Sequence, residues 1–492
     1  MMGVIKDMIK NWLEINEANS TQISIKKKTN YEGQAFINNI WYRGEANELE
    51  QLYSQLDDDL GNKSFWAAKS TIGNRIRKIH TGLPAMIVDT LASISTNDLD
   101  IINVTGRQKE WDDMNKEIKL KELMNNSLKT VLVEGDGVFK ISIDTNISEY
   151  PIVEFYEGSR VDYEIERGRI IAYIFKTKKI INKKKYLLKE RYSKDGITFS
   201  LENEDSKQVN IRDFEELNKY ADVENTNKFM MAVNFKIYDS KKFKDRGKSI
   251  FENKIDAFDS YDEVWSQWML AIRKGQLKEY IPESLLPRDP KTGLILKRND
   301  FDVSFISTET DMSEGAKNQI QTTQGQIQHE ALLSTYITAL DQCLQGLISP
   351  STLGIDVKKL DNAEAQREKE KTTLYRRAEI VSVLSNVTKE LVDKIFKVKD
   401  TMDKKTISDI EVDPTFGGYA NPSFEAQIET VSKAATTNIM SIEAQVEELW
   451  GDTKDEEWKK EEVKRIKEEK GITNMEEPAI NEDIILEDEL NN

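Results

Sequence analysis

The sequence predicts an α+β fold with several lobes, and three observations lead to this prediction. Residues 255–398 carry apolar side chains at helical spacing in three long segments. Residues 151–238 instead form short runs of alternating apolar and charged residues, which is typical of half-buried antiparallel strands. The chain has 492 residues, more than a single hydrophobic core usually serves. We therefore expect helical and β-rich parts distributed over several lobes.

The central segment predicts two helices joined by a Pro-rich excursion and followed by a third, very long helix. Apolar residues recur every three or four positions in each helix, which places them on one stripe. In the first helix they are Ile255, Phe258, Tyr261, Trp265, Trp268 and Ile272. In the second they are Leu333, Tyr336, Ile337, Leu340, Leu344 and Leu347. The third helix begins at Asp361 or Asn362 and carries Leu374, Val381, Leu384, Leu391 and Ile395. Asp256, Asp259, Asp262 and Glu263 are expected mostly on the polar side of the first helix.

Residues 348–360 break the helical pattern between the second and third helices. Pro350 cannot continue a helix, and Gly354 allows backbone conformations closed to other residues. The break carries Leu353, Ile355, Val357 and Leu360 beside Lys358 and Lys359. It is either a plain joint with its apolar residues in the core or a functional loop, and spacing alone favours the joint.

The first half of the chain combines helices with a β-rich region. Helices are predicted at residues 47–60, at a segment with Pro84 in its first turn and at 107–130, and the run around Glu134-Gly-Asp-Gly predicts a β-hairpin over 130–143. Strands are predicted at 152–156, 161–165, 169–177, 185–193, 197–201 and 229–238, joined as an antiparallel meander. Residues 176–185 include six lysines. A lysine-blunted sheet edge is favoured there over a nucleic-acid ribbon, because aromatic residues are not interleaved.

The excursion at residues 277–323 contains Pro282, Pro287 and Pro290, with short β runs at 294–297 and 301–306. Its apolar residues include Tyr280, Leu285, Leu286, Phe301 and Phe305. They are buried either within a self-contained insertion or by pairing with neighbouring subunits. The sequence of this segment favours neither alternative over the other. Further on, a strand is predicted at 407–412 and helices at 424–435, 441–449 and 458–470. The acidic end, residues 475–492, is expected to be disordered.

Signatures of catalysis and of a bound cofactor are missing from the sequence. No Walker motif, His-Glu-x-x-His, paired-Cys zinc signature or Gly-x-Ser-x-Gly elbow occurs, so we expect neither enzyme activity nor a cofactor or metal. Cys343, the single cysteine, falls on a helical apolar stripe and is expected to be buried, and His80 is expected to be structural. The Asp57-Asp-Asp run is read as a solvated helix end rather than a Mg²⁺ site.

Charge and hydropathy limit the partners of the chain. The net charge of −17 argues against tight nucleic-acid binding, which depends on neutralising phosphates with Lys and Arg. No apolar run is long enough to span a membrane, and residues 1–10 lack the apolar core of a secretory signal.

The order of these elements resembles the portal proteins of tailed bacteriophages, especially those of siphophages of Gram-positive hosts. The resemblance rests on a wing-like N-terminal half with Lys63-Ser-Phe-Trp-Ala, and on two helices that flank an insertion. It rests further on the break Ile348-Ser-Pro-Ser-Thr-Leu-Gly and on a long helix that opens with Asn362-Ala-Glu-Ala. The resemblance covers about residues 41–471. It depends on the order of all these elements rather than on one specific motif.

The resemblance implies a portal architecture assembled as a ring. Its parts would be an N-terminal arm (1–40), a mixed α/β wing (41–254), a first stem helix (255–275), a small α/β clip (276–323), a second stem helix (324–348), a tunnel loop (349–360), a long wing helix with a return strand (361–412), a helical crown (413–471) and an acidic tail (472–492).

The resemblance also implies partners and site residues. The chain would form a ring, as a dodecamer, at one capsid vertex of a virion assembled in the host cytoplasm, with double-stranded DNA passing through it. Terminase and the head-tail adaptor would dock on the clip, and the major capsid and scaffolding proteins would contact the outside. The implied DNA-tunnel loop residues are Asp356, Val357, Lys358, Lys359 and Leu360. The implied acidic residues of the stem that line the tunnel are Asp256, Asp259 and Glu263, and the implied docking residues of the clip are Tyr280, Leu285, Leu286, Phe301 and Phe305. The alternative hypothesis is a metal-dependent carboxylate nuclease with a helical middle.

Overall fold

A computed structural model describes residues 30–55, 64–68, 76–97, 99–218, 220–286, 288–295, 304–310, 319–355, 363–416, 424–437, 439–450 and 456–469. The chain divides into two compact units, Met1–Gly417 and Gly418–Asn492. The fold is α+β, as the sequence predicts.

The first unit contains eight described helices and most of the apolar core. The helices are α1 (Tyr31–Arg43), α2 (Ala46–Gln55), α3 (Leu83–Thr96), α4 (Gln108–Ile118), α5 (Leu120–Glu134), α6 (Ile255–Lys274), α7 (His329–Leu344) and α8 (Ala363–Met402), with a short 3₁₀ helix at Phe65–Ala67. Fully buried tryptophans at 41, 66 and 111 lie in one cluster with Leu384, Leu391 and Ile395 of α8. The 40-residue helix α8 is therefore a core element of this unit.

Three expectations for these helices need correction. Helix α1 crosses the boundary at residue 40 that was expected to separate arm from wing. The single helix expected at 107–130 is two helices, because Lys119 adopts a left-handed conformation at φ 51°. Leu374 of α8 is exposed, and the buried stripe begins with Thr373 and Arg377, becoming apolar only from Ile380 onward.

The β-hairpin predicted over residues 130–143 is wrong in its first half. Helix α5 continues to Glu134, and Val131, Leu132 and Val133 are all buried. A helix end that is buried all round gives a continuous apolar run, which periodicity cannot separate from a buried strand. Gly135 ends the helix at φ 115°, where a Cβ atom would lie 2.4 Å from the Gly247 carbonyl oxygen.

The strands of the first unit form several sheets. The predicted meander is confirmed for the strands from Val161 to Asn203, whereas the strands predicted at 152–156 and 229–238 belong to a separate sheet. The strands are β1 (Leu99–Val104), β2 (Asp136–Ser142), β3 (Ile152–Glu157), β4 (Val161–Glu166), β5 (Arg169–Ile181), β6 (Lys184–Ser193), β7 (Gly196–Asn203), β8 (Gln208–Val209), β9 (Val223–Glu224), β10 (Ala232–Lys236), β11 (Lys278–Pro282), β12 (Ser304–Thr308), β13 (Gln321–Thr323) and β14 (Val412–Phe416). Among them, β4 to β8 are paired antiparallel in chain order with β9 on β7, and β10-β2-β3 form a smaller sheet.

Strand β14 replaces the strand predicted at residues 407–412 and pairs antiparallel with β1. It contains Pro414, two residues beyond the predicted end of the strand. In a two-stranded sheet each strand is an edge, so a residue without an N–H can point its nitrogen away from the partner. The prediction therefore missed the strand position by about one strand length.

The second unit contains three described helices: α9 (Phe424–Thr436), α10 (Ile442–Trp450) and α11 (Glu456–Glu469). They match the helices predicted at 424–435, 441–449 and 458–470. Ser441 caps α10, with its hydroxyl oxygen accepting from Ala444 N at 3.2 Å. Trp450 of α10 meets Trp458 of α11 with ring centroids 5.7 Å apart.

Glu134 at the end of α5 gives a testable pH dependence. Burial raises the pKa of this carboxyl to about 7, and hydrogen bonds from Ser159 N and Asn39 Nδ2 only partly oppose that rise. The unfolded chain titrates near 4.5, so the native state binds more protons between these values. The contribution of Glu134 to the free energy of unfolding is therefore fully present below pH ~4.5 and lost as the pH rises through ~7. Its size is on the order of 3 kcal/mol.

Replacing Glu134 with Gln is expected to remove this pH-dependent contribution, because an amide does not titrate. Melting temperatures of both proteins measured across the interval from acid to neutral pH test it. The difference between wild type and Glu134→Gln should change with pH there and be flat above it. Parallel curves would contradict the assignment.

Candidate functional site

Helices α6 and α7 form an antiparallel pair, here called the stem hairpin, and residues 275–328 between them form the inserted segment. At one end, Lys254 Nζ beside the start of α6 donates to the carbonyl oxygens of Gln342 and Gln345 at 2.7 and 2.9 Å. In the middle, the hydroxyls of Tyr261 and Tyr336 lie 2.6 Å apart. The two helices predicted to flank an insertion are thus packed side by side.

Asp259 attaches the lower part of α6 to the 3₁₀ helix at Phe65–Ala67. Its carboxylate accepts from Phe65 N and Ser64 Oγ, both at 2.7 Å, and the side chain is buried. Burial raises the pKa of Asp259, and these hydrogen bonds act in the opposite direction. Asp259 was predicted to face a channel; the structure places its carboxylate inside the subunit instead.

Asp262, one turn further along α6, forms a second buried attachment. Its Oδ2 lies 2.7 Å from His80 Nδ1 and 3.2 Å from Trp66 Nε1, while Oδ1 accepts from both Thr81 N and Thr81 Oγ1 at 3.0 Å. The rings of Trp41 and Trp66 flank His80 at 5.6 and 6.3 Å. The half of the hairpin that contains Asp259 and Asp262 is here called the anchored half. It is held by polar contacts within its own subunit.

The other half of the stem hairpin, which contains Trp265 and Trp268 of α6 and Leu333 of α7, is here called the outer half. Its apolar residues are incompletely covered. The rings of Trp265 and Trp268 meet edge to face with centroids 5.8 Å apart and both contact the ring of Tyr336, yet each tryptophan remains half-buried. Ile272 on α6 and Leu333 on α7 are 39% and 40% exposed. A two-helix pair cannot enclose a core by itself, so this outer half presents apolar surface beyond the subunit.

A groove of about 610 Å³ lies between the outer ends of the two helices. Val264, Ala271 and Leu332 are among its lining residues, together with Ile327 from the inserted segment. Gly275 permits this close approach, because a Cβ atom there would lie 2.4 Å from Ile327. The chain thus leaves and re-enters the hairpin at one narrow place.

The inserted segment carries a small sheet in which β11 is central, parallel to β12 and antiparallel to β13. Strand β12 was predicted; β11 and β13 were not, because neither has alternating apolar residues. Strand β11 carries Lys278-Glu279 and β13 reads Gln-Thr-Thr.

The five predicted docking residues have different environments. Leu285 is 51% exposed, Tyr280 is half-buried and Leu286 is buried. Phe305 lies on β12 opposite Glu279, and its side chain is outside the described part of the structure. Phe301 also lies outside the described residues. Of the three residues in this set whose side chains the structure describes, only Leu285 presents a large apolar side chain to solvent.

The first part of the break after α7, residues 349–355, is attached to the core. Ser349 N donates to Thr373 Oγ1 of α8 at 2.8 Å, and Ile355 N donates to the Pro350 carbonyl at 3.0 Å. Leu353 and Ile355 pack against the main core, as the plain-joint interpretation predicts. The predicted loop residues Asp356, Val357, Lys358, Lys359 and Leu360 lie outside the described residues.

The remaining predicted acidic residues of the stem, Asp256 and Glu263, are both exposed on α6. Partial burial of the Glu263 carboxyl raises its pKa, and the negative charge of Asp259 adds to this rise. The polar face expected from the sequence therefore holds for Asp256 and Glu263 and fails for Asp259 and Asp262.

Other potential sites can be assessed within the described residues. Cys343 is buried, as predicted, and burial raises its thiol pKa to about 12, so it is not a nucleophile at neutral pH. No cluster of His, Cys, Asp and Glu that could hold a metal occurs in the part that the structure describes. In the same part, no helix is both long and apolar enough to cross a membrane.

Sequence reasoning missed the buried attachment of α6 altogether. A signal was present, because Asp259 and Asp262 directly follow Phe258 and Tyr261 and so stand next to the apolar stripe. Their partners could not be found from spacing, since His80 is 182 positions from Asp262.

Comparisons with known proteins gave matches only to solved structures. No protein-family model and no curated protein matches the chain. A chain from the virion of a native gene transfer agent particle is similar at 10% identity, covering 73% of this chain and 86% of that one, with a TM-score of 0.40. A chain from the neck of the native particle, computed with C12 symmetry, is similar at 9% identity, with 75% and 91% covered and a TM-score of 0.41. For the neck of the empty particle, computed with C6 symmetry, identity is 10%, coverage 74% and 88%, and the TM-score 0.40.

Proposed function

We propose that this chain is the subunit of a portal ring, a structural conduit for double-stranded DNA at one capsid vertex. The observation that carries the proposal is the division of the stem hairpin into an anchored half and an outer half with uncovered apolar surface. Asp259 and Asp262 hold the anchored half to its own subunit. Trp265, Trp268, Ile272 and Leu333 remain for contacts with neighbours.

A ring follows from the kind of contact that this hairpin offers. When one side of each copy packs on a different side of the next, the interface is heterologous, and it closes into a ring if the rotation between copies fits. The order of elements, with an inserted segment between the two helices and a break before α8, agrees with the resemblance to portal proteins. The resemblance also implies twelve copies, and the architecture of wing, stem, clip and crown.

The DNA channel belongs to the same proposal. Asp256 and Glu263 are the exposed carboxylates of α6 from the predicted set, and they would repel phosphates if they faced the passage. Such a wall lets DNA slide without being held. Contact would be confined to the loop around Lys358 and Lys359.

The docking partners are assigned to the two ends and the outside of the ring. The inserted segment, with exposed Leu285, would receive the terminase during packaging and the head-tail adaptor afterwards. The outer surfaces would meet the major capsid and scaffolding proteins. The role is structural, within the virion, and the energy for DNA movement would come from a separate protein.

Light scattering coupled to size exclusion tests the assembly. The purified chain should have a mass many times 56.7 kDa. Replacing both Ile272 and Leu333 with Glu should reduce the mass to that of one subunit, because buried unpaired carboxylates oppose the stem contacts. Replacing exposed Ile101 and Ile147 with Glu makes the same change in charge outside the stem hairpin and should leave the mass unchanged. A wild-type mass of 56.7 kDa would refute the ring. An assembled stem variant would refute the stem interface.

The loop assignment predicts a selective defect in DNA handling. Replacing Lys358 and Lys359 with Ala should leave rings intact but reduce the nuclease-protected DNA in assembled particles, because two phosphate contacts per subunit are lost. The same change at exposed Lys241 and Lys244 is the control. Normal packaging and DNA retention in the loop variant would count against this assignment.

A further inference from the structure

The hairpin of β5 and β6 extends beyond the strand on its other side. Strand β4 pairs with β5 from Glu166↔Arg169 to Val161↔Phe175, while β5 continues to Ile181. The outer six residues, Lys176–Ile181, therefore pair only with β6 among the strands that the structure describes. We call this stretch the open edge of β5.

The two faces of this outer hairpin differ sharply. One face contributes Ile181 and Leu188 to a small core that also contains Leu201 and Leu217. On the other face Lys178 stands opposite Leu187, and Lys185 stands opposite Ile180, which is 72% exposed. The sheet is thus held in place from one side and presents lysine and aliphatic side chains together on the other.

The positive charge concentrates toward the tip. Nearer the base, Lys176 pairs with Glu32 and Asp162, and Lys189 pairs with Glu202. At the turn and the start of β6, Lys183, Lys184 and Lys185 are exposed, with no ion pair among the described residues. In a chain of net charge −17, this tip is a local basic surface.

We propose that the open edge of β5 receives an extended acidic segment of a partner protein, which adds to the sheet as a further strand. An open edge offers backbone N–H and C=O groups, and main-chain hydrogen bonds supply the affinity in such additions. Asp or Glu side chains of the added strand would lie beside the lysines, and an aliphatic residue beside Ile180. The lysines oppose pairing with a second basic edge, so charge selects which strand can bind.

The chemistry favours a polypeptide over a nucleic acid. The exposed face has neither arginine for bidentate phosphate binding nor an aromatic ring for base stacking. Duplex DNA has no backbone amides to complete a strand pairing and no apolar group to cover Ile180. The inference does not depend on ring assembly, so its failure would leave the portal proposal untouched.

Fluorescence anisotropy with the full chain tests the proposal. The probe is the labelled peptide Thr-Glu-Val-Ile-Val-Glu-Thr, which carries Glu, Ile and Glu on one face of a strand, and we expect saturable binding that weakens with salt. Replacing Lys178 and Lys185 with Glu should weaken binding about tenfold or more, since two charge contacts become repulsive. Replacing Lys241 and Lys244 with Glu makes the same change in charge elsewhere and should have no effect.

Peptide variants keep the test independent of how the protein variants fold. The same peptide with Lys in place of its acidic residues should not bind. The acidic peptide is also made in two methylated forms, one for each alternate set of backbone nitrogens. Only one set of N–H groups faces β5 in an added strand, so methylation of that set should abolish binding. Equal binding of the parent and both methylated peptides, no binding of the parent peptide, or preferential binding of a short DNA duplex at the same lysines would each overturn the proposal.

Discussion

Replacing Asp262 with Ala should lower the free energy of unfolding by about 3–5 kcal/mol, because it removes a buried carboxylate that accepts several hydrogen bonds. The Asp262 carboxylate is 1% exposed and accepts from Trp66 Nε1, Thr81 N and Thr81 Oγ1 while contacting His80 Nδ1. Alanine would leave all of these buried groups without an acceptor. Each such loss costs about 1–3 kcal/mol, and the losses are not additive.

Assembly would obscure this measurement, so it is best made in the background of Ile272→Glu with Leu333→Glu. Denaturant unfolding followed by tryptophan fluorescence suits the site, because Trp66 is part of it. Asp256→Ala on the exposed side of the same helix is the control and should change stability by no more than about 0.5 kcal/mol. Equal effects of the two substitutions would show that the buried attachment of α6 does not stabilise the fold.

Replacing Asp136 with Ala should cause a loss of similar size, about 3–5 kcal/mol, in another part of the first unit. Asp136 is fully buried and accepts from Arg246 Nη2 at 2.8 Å, from Gly247 N at 2.5 Å, and from the hydroxyls of Tyr31 and Tyr163 at 3.0 Å each. Arg246 in turn lies 3.7 Å from the centre of the Tyr31 ring and 4.5 Å from that of Tyr163. One carboxylate therefore joins α1, β2, β4 and the loop after β10.

Two further variants separate this site from an ordinary ion pair. Arg246→Lys should also destabilise the protein, because an ammonium cannot reproduce the planar, bidentate contact of the guanidinium. Arg191→Ala removes a partly exposed pair with Glu164 and should cost no more than about 1 kcal/mol. The same denaturant titration measures both. If Asp136→Ala cost as little as Arg191→Ala, the site would not hold these elements together.

The elements with clear periodicity could be predicted from the sequence. The strands from Ile152 to Asn203 and the helices α6, α7 and α8 lie within a few residues of their predicted places. Each has one buried face, so the pattern of apolar residues records its period. Helix α5 failed this test because its end is buried on all sides.

Contacts between distant segments could not be predicted in this way. Asp259 reads as a polar residue of an amphipathic helix, and only the fold brings Ser64 and Phe65 to it from nearly two hundred positions away. The exposure of Trp268 was equally hidden, because an apolar stripe looks the same whether it faces its own core or a neighbouring subunit. Leu286 is buried within the insertion whereas Leu285 is exposed, a difference that two adjacent leucines do not reveal.

The stem hairpin links the fold to the proposed function. Its anchored half fixes the direction of the helices through polar contacts within one subunit, and its outer half leaves aromatic and aliphatic surface for others. A hairpin that is fixed at its anchored half and apolar at its outer half suits a ring, because its helices must have the same orientation in every copy.

Electron microscopy of the purified chain tests the central claim most directly. We expect annular particles with a central hole, built from many copies of the 56.7 kDa subunit. Compact particles of single-subunit size without a hole, at concentrations where the protein remains folded, would contradict the proposed conduit.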